Sequence, residues 1–226
     1  STIIKAKRTN QIVLRVHSCS PLSAYNHFYN RYPLKGKIRM ADQKMIGVYG
    51  SANTQPGTPD YEEAYSLGTY LARAGYAVMT GGYGGTMGAV SEAAADAGGH
   101  VIGVTVGLFR ERGLTPNPWL HEEIHLPTLA ARLNHLIAAP DAYVVLRGGI
   151  GTLAEMALAW SLLQVAEVPA RPLVLVGQMW REFVPHFAAI STITERDVRF
   201  LQIVDDARDV VGALRGWWQN PPNVPP

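Results

Sequence analysis

From Lys44 onward the chain alternates between short, nearly unbroken apolar runs and longer stretches whose apolar residues recur at helical spacing. MIGVY (45–49), YAVMT (76–80), HVIGVTV (100–106), AYVVLR (142–147) and PLVLVG (172–177) read as strands buried on both faces. The segments between them read as helices at 58–75, 86–98, 128–139, 152–164 and 180–190, with a last one at 206–218. The first of these is well punctuated. Thr58 is placed to cap it, Pro59 takes the first helical position, acids fill the first turn and Gly75 stands just past the end. Apolar strands alternating with amphipathic helices predict an α/β fold, a Rossmann-like parallel sheet with helices on both faces.

Composition and charge refine this picture. A chain of 226 residues with 47% hydrophobic content suits one sizeable core. No apolar run reaches the roughly 18 residues of a membrane span, so no membrane partner is expected. The formal charge of +2 is unevenly spread. Residues 1–41 hold eight basic side chains and no acid, leaving 12 basic against 18 acidic in 42–226, about −6. An acidic body argues against nucleic acid as a partner, because phosphate neutralisation needs clustered Lys and Arg. Residues 1–43 are therefore read as a basic leader, poorly ordered, serving as a transit-like segment, a contact arm, or sequence translated upstream of a start at Met40 or Met45. Residues 44–218 form the single domain, and 219–226 a proline-rich, frayed tail. Cys19 is the sole cysteine, which fits a reducing, cytoplasmic compartment.

Ligands of such sheets bind beyond the carboxyl ends of the strands, where loops meet helix N-termini. Three loops there are rich in small residues: YGSANTQPGTP (49–59), TGGYGGTMG (80–88) and RGGIGT (147–152). Backbone N–H groups after Gly151, with the Thr152 hydroxyl, can hold an anion without a lysine. Gly149, Gly151 and Ala154 also satisfy G-x-G-x-x-A, but the acid that a dinucleotide site needs at the end of the next strand is missing from PLVLVGQ. A Walker loop and a pyridoxal phosphate Schiff base both need a lysine, and none follows Lys44. No cofactor is expected.

HEEIH (121–125) matches the zincin pattern, which works only on a continuous helix. Pro118 and Pro127 bracket it, so His121 and His125 are expected on a short strand or loop wall and no metal is assigned. What remains near the cradle is a carboxylate and an arginine. Glu155 lies one turn after Thr152, and Arg132 on the preceding helix can face the same pocket. Each has an ordinary alternative role, Glu155 in serving a helix dipole and Arg132 in packing its stem.

TGGYGGTMGAV, LAAR and RGGIGTLAE, in this order, resemble the glycine-rich loops and the MxxRK and PGGxGTxxE motifs of the LOG (lonely guy) family. The likeness spans Lys44 to Trp218, and its most specific element is G-G-x-G-T-x-x-E with an arginine 23 positions before the glutamate. LOG proteins are cytokinin riboside 5′-monophosphate phosphoribohydrolases. The resemblance implies a nucleotide-binding Rossmann-like hydrolase that forms a homodimer and cleaves the N-glycosidic bond of AMP or a cytokinin riboside monophosphate. It implies catalytic roles for Arg132 and Glu155, and a phosphate loop at Gly148, Gly149, Gly151 and Thr152. Ser51 and Ser161 stand where the family has a serine and a threonine, and Gly82 of the second glycine loop and Arg147, a cation beside the cradle, complete the expected substrate contacts. The chain departs from the pattern at Leu129, Leu133, Arg147 and Ala154, where the family has Met, Lys, Pro and Glu. These changes resemble the broader LOG-like branch that includes molybdenum cofactor carrier proteins, which implies an alternative: a non-catalytic carrier of a phosphorylated heterocycle.

Overall fold

The computed structural model describes residues 43–222. The basic leader before them and the last four residues of the tail lie outside the described residues.

Seven strands form one sheet: β1 (Met45–Tyr49), β2 (Ala77–Thr80), β3 (Val101–Val106), β4 (Glu122–Leu126), β5 (Ala142–Val145), β6 (Leu173–Val176) and β7 (Leu201–Val204). Every pairing is parallel, in the order β4-β3-β2-β1-β5-β6-β7. The helices are α1 (Pro59–Arg73), α2 (Thr86–Asp96), α3 (Gly107–Glu111), α4 (Leu129–Ala138), α5 (Ile150–Gln164), α6 (Gln178–Ile190), α7 (Glu195–Val198) and α8 (Val210–Gln219), the last preceded by a 3-10 turn at Ala207–Asp209. This is the doubly wound parallel architecture that the alternation predicts.

Alternate strand residues feed opposite layers. Ile46, Val48, Val78, Val144 and Val174 meet Leu67 and Leu71 of α1, Val90 of α2 and Leu214 of α8 in one fully buried core. On the other side Tyr49 stacks near Tyr143, their ring centroids 6.1 Å apart, and both hydroxyls donate into α4, to Leu136 O at 2.6 Å and Ile137 O at 2.5 Å. Each buried phenol thereby satisfies its polar end while filling space beneath the helix. The α1 boundaries match the sequence reading: the Thr58 side chain accepts from Tyr61 N, Pro59 opens the helix, and Gly75 at φ +85° ends it.

Four details differ from the sequence reading. α5 begins at Ile150, two residues earlier than read, so its first turn includes Gly151 and Thr152. β5 stops at Val145, short of Arg147. α8 continues to Gln219, one residue into the proline-rich tail. The short elements α3, α7 and β7 carry no reading of their own in the sequence. HEEIH falls on the strand side of its two options, since β4 runs Glu122–Leu126 at the sheet edge. His121 accepts from Val101 N at 3.2 Å and His125 Nδ1 meets Thr105 Oγ1 at 3.0 Å. Four residues of strand span roughly 13 Å, so the two imidazoles do not share the helical face a zincin requires.

Candidate functional site

The strand order reverses direction between β1 and β5, and in open parallel sheets the loops leaving such a point diverge and leave a crevice. A cavity of about 360 Å³ opens there, lined by the β1 loop (Gly50–Asn53), Gly81 after β2, Phe109 of α3, Arg132 and Leu133 of α4, and the start of α5. Main-chain bonds seal its floor: Leu146 N donates to Tyr49 O at 2.9 Å, Ser51 N to Arg147 O at 3.2 Å, and Thr86 N to Ser51 O at 2.9 Å. The three small-residue loops of the sequence therefore meet at one sheet edge.

Helix α5 supplies the cradle. Leu153 N is bonded back to Gly149 O at 2.9 Å, so the amides of Ile150, Gly151 and Thr152 precede that bond at the helix's positive end. Gly149 and Gly151 have open space where a Cβ would stand, leaving the backbone accessible. Thr152 is only 3% exposed. Backbone donors at an open helix N-terminus are a geometry suited to an anion.

Arg132 is fixed from several directions. Its Nε donates to Val104 O at 2.7 Å and its Nη2 to Gly81 O at 3.0 Å. Tyr83 and Phe109 lie with ring centroids 5.8 and 5.6 Å from the guanidinium carbon, and the two rings meet edge to face. Gly81 is glycine because a Cβ there would stand 2.0 Å from Arg132 Nη2. The remaining nitrogen, Nη1, lies 3.9 Å from Glu155 Oε1, and both side chains are largely buried. Burial pushes the Glu155 carboxyl up to about 7 against the opposing pull of Arg132. Burial also lowers the Arg132 guanidinium, with Glu155 working in the other direction. A buried carboxyl poised near neutrality beside a fixed cation is suited to acid–base work or to stabilising positive charge. Because α5 begins at Ile150, Glu155 occupies its second turn, away from the position of a dipole-serving acid.

Of the residues expected in the site, Ser51, Arg132, Gly149, Gly151, Thr152 and Glu155 line the cavity. Gly82, Gly148, Arg147 and Ser161 are not among its lining residues. Gly82 is a buried turn residue at φ +80° whose N–H bonds Thr80 Oγ1, and its neighbour Gly81 takes the wall position. Gly148 backs the cradle, since a Cβ there would meet Thr152 Oγ1 at 2.1 Å. Ser161 is exposed well along α5. Arg147 turns to Asp60, Nη1 to Oδ2 3.2 Å, and lines a neighbouring groove. Sequence reasoning missed Asn53, Met87 and Phe109 in the wall. The first two sit in or beside glycine loops already singled out, whereas Phe109 lies in a segment with no periodic signal.

The sequence model of the SLOG cluster4 family matches residues 43–168, more than half of the chain. The chain belongs to the SLOG cluster4 family. The resemblance to LOG proteins is thereby borne out, and the family match covers the cavity and both of its charged residues. The cytokinin riboside 5′-monophosphate phosphoribohydrolase of Rhodococcoides fascians is 28% identical over 186 residues, covering 76% of this chain and 89% of that protein. The enzyme of the same name from Mycobacterium tuberculosis is 32% identical over 133 residues, covering 57% of this chain and 68% of its own. Among solved structures, the molybdenum cofactor carrier protein of Chlamydomonas reinhardtii superposes with a TM-score of 0.61 at 27% identity, covering 79% of this chain and 99% of that one. The proteins it is similar to thus carry names that specify a hydrolysed nucleotide or a carried cofactor.

Proposed function

We propose that this protein is a nucleoside 5′-monophosphate phosphoribohydrolase, which cleaves the N-glycosidic bond of AMP or a cytokinin riboside monophosphate to free base and ribose 5-phosphate. The observation that carries this reading is the buried Arg132–Glu155 pair, 3.9 Å apart in the same cavity as the α5 cradle. The names of the R. fascians and M. tuberculosis relatives support it.

In this reading the 5′-phosphate sits on the amides of Ile150, Gly151 and Thr152, which brings the ribose toward Glu155. As the C1′–N bond breaks, its electron pair leaves with the base, which takes up a proton, and positive charge grows on the ribose. The Glu155 carboxylate stabilises that charge and accepts a proton from the water that adds to C1′. Arg132, held by two carbonyls and two aromatic rings, keeps the carboxylate in place and limits how far burial raises it. The leaving base faces Met87, Phe109, Leu129 and Leu133, with Asn53 as a polar contact.

The alternative, a carrier that retains a phosphorylated heterocycle without turnover, draws support from the similarity to the C. reinhardtii carrier. Base release separates the two. Incubation with AMP and chromatography for adenine should show release by the wild type and none by Glu155→Gln, with AMP binding retained in the variant; equal background release from both sinks the hydrolase reading.

A further inference from the structure

The cradle of backbone amides has to hold a phosphate that is close to doubly charged, yet among the described residues Arg132 is the only cationic side chain lining the cavity. Two of the three Arg132 nitrogens donate to Val104 O and Gly81 O, and the third faces Glu155. It is committed to the carboxylate. A phosphomonoester bound by amides alone would forgo the charge-assisted, bidentate contact that arginine gives most strongly.

Arg147 is the cation placed to supply it. Its carbonyl accepts from Ser51 N, a cavity-wall residue, and the next residue, Gly148, is packed so tightly on Thr152 that a Cβ would meet its hydroxyl. The Arg147 backbone is thus pinned three residues before the first cradle amide, Ile150, while its side chain stays 67% exposed. That side chain turns the other way. It reaches Asp60 Oδ2 at 3.2 Å, in a groove of about 440 Å³ that also presents Glu63 and Glu182. The Asp60 side chain is itself 41% exposed, and a pair so open to water is weak. A charge-assisted bond to phosphate is stronger, which favours the exchange.

We propose that Arg147 is a phosphate-binding residue held in reserve by Asp60, and that a phosphomonoester entering the cradle takes the guanidinium from Asp60. Asp60 then sets phosphate affinity from outside the cavity, by competing for the same cation. The inference rests on the cradle being the phosphate seat, but not on turnover or on the identity of the base.

Calorimetric titration of the full chain with ribose 5-phosphate, and separately with adenosine as a phosphate-free probe, tests it. Arg147→Ala should weaken ribose 5-phosphate binding about tenfold and leave adenosine binding unchanged. Asp60→Asn should tighten ribose 5-phosphate about two- to fivefold, and that gain should vanish when combined with Arg147→Ala. Ribose 5-phosphate binding that ignores Arg147→Ala, or an Asp60→Asn gain that survives in the double variant, overturns the exchange while leaving the cradle intact. No binding of ribose 5-phosphate to the wild type, with adenosine still bound, would instead remove the phosphate seat and the exchange with it. Circular dichroism of each variant separates loss of fold from loss of contact.

Discussion

Glu155 is the residue whose protonation state decides most about the site. Burial holds its carboxyl near 7, so the carboxylate required in the proposed reaction forms as pH rises through that value. The kcat/KM for AMP should therefore climb between about pH 6 and 8, and Glu155→Gln should show no release anywhere in that range. The same shift has a consequence for stability. The folded-state value lies above the ordinary carboxylate range, so the folded chain keeps a proton that the unfolded chain releases, and stability falls as pH rises from about 4.5 toward 7. Glu155→Gln removes that liability and should raise unfolding free energy at pH 8 by roughly 1–3 kcal/mol. Urea denaturation at pH 8 and pH 4.5 checks this, with the gain absent at the lower pH. A variant less stable than wild type at pH 8 would mean that the carboxylate is held favourably by its neighbours.

At the scale of elements, two glycines separate building the site from serving the ligand. A methyl group at Gly81 would collide with Arg132 Nη2 and with Met87 Sδ. Gly81→Ala should cost about 1–3 kcal/mol in stability and lower kcat/KM for AMP about a hundredfold by displacing Arg132. Gly149 has φ −101° and a Cβ there would meet nothing within 4 Å, so Gly149→Ala should leave thermal unfolding unchanged while weakening nucleotide binding, because the methyl enters the cradle. Elements also show how far the sequence was readable. β1, β2, β3, β5 and β6 are near-continuous apolar runs and α1 carries caps at both ends, so their positions follow from the chain itself. β7 is partly buried at all four of its positions, interrupted by Gln202, at a sheet edge, and α3 has five residues with none buried, so neither leaves a hydrophobic pattern of its own. The loss mattered for α3, because Phe109 on it holds Arg132 from one side. The side-chain direction of Arg147 is likewise set by its contact with Asp60, which a motif does not encode.

For the whole molecule, the strand order fixes where chemistry can occur. The reversal between β1 and β5 gathers three loops that are distant in sequence, and Gly50 and Gly81 leave room for Thr86 and Arg132 to approach. Strand residues from β1, β2, β5 and β6 interlock with α1, α2 and α8 in the buried core, while α4 and α5 carry the 3.9 Å pair. Leu67→Ala, at a fully buried position of α1, should cost about 2–5 kcal/mol by urea denaturation, and a cost below about 1 kcal/mol would show that this layer is loosely packed. The proteins this chain is similar to differ in whether their names describe hydrolysis or carriage, so the fold alone does not choose between them. The charged pair in the cavity favours hydrolysis.

The most direct test is the amount of adenine released from AMP by wild type and by Glu155→Gln under identical conditions at pH 8. Adenine accumulating with the wild type alone, while both proteins bind AMP, is the predicted result. AMP recovered intact from both, or the same slow release from both, would contradict the assignment of Glu155 to the scissile bond.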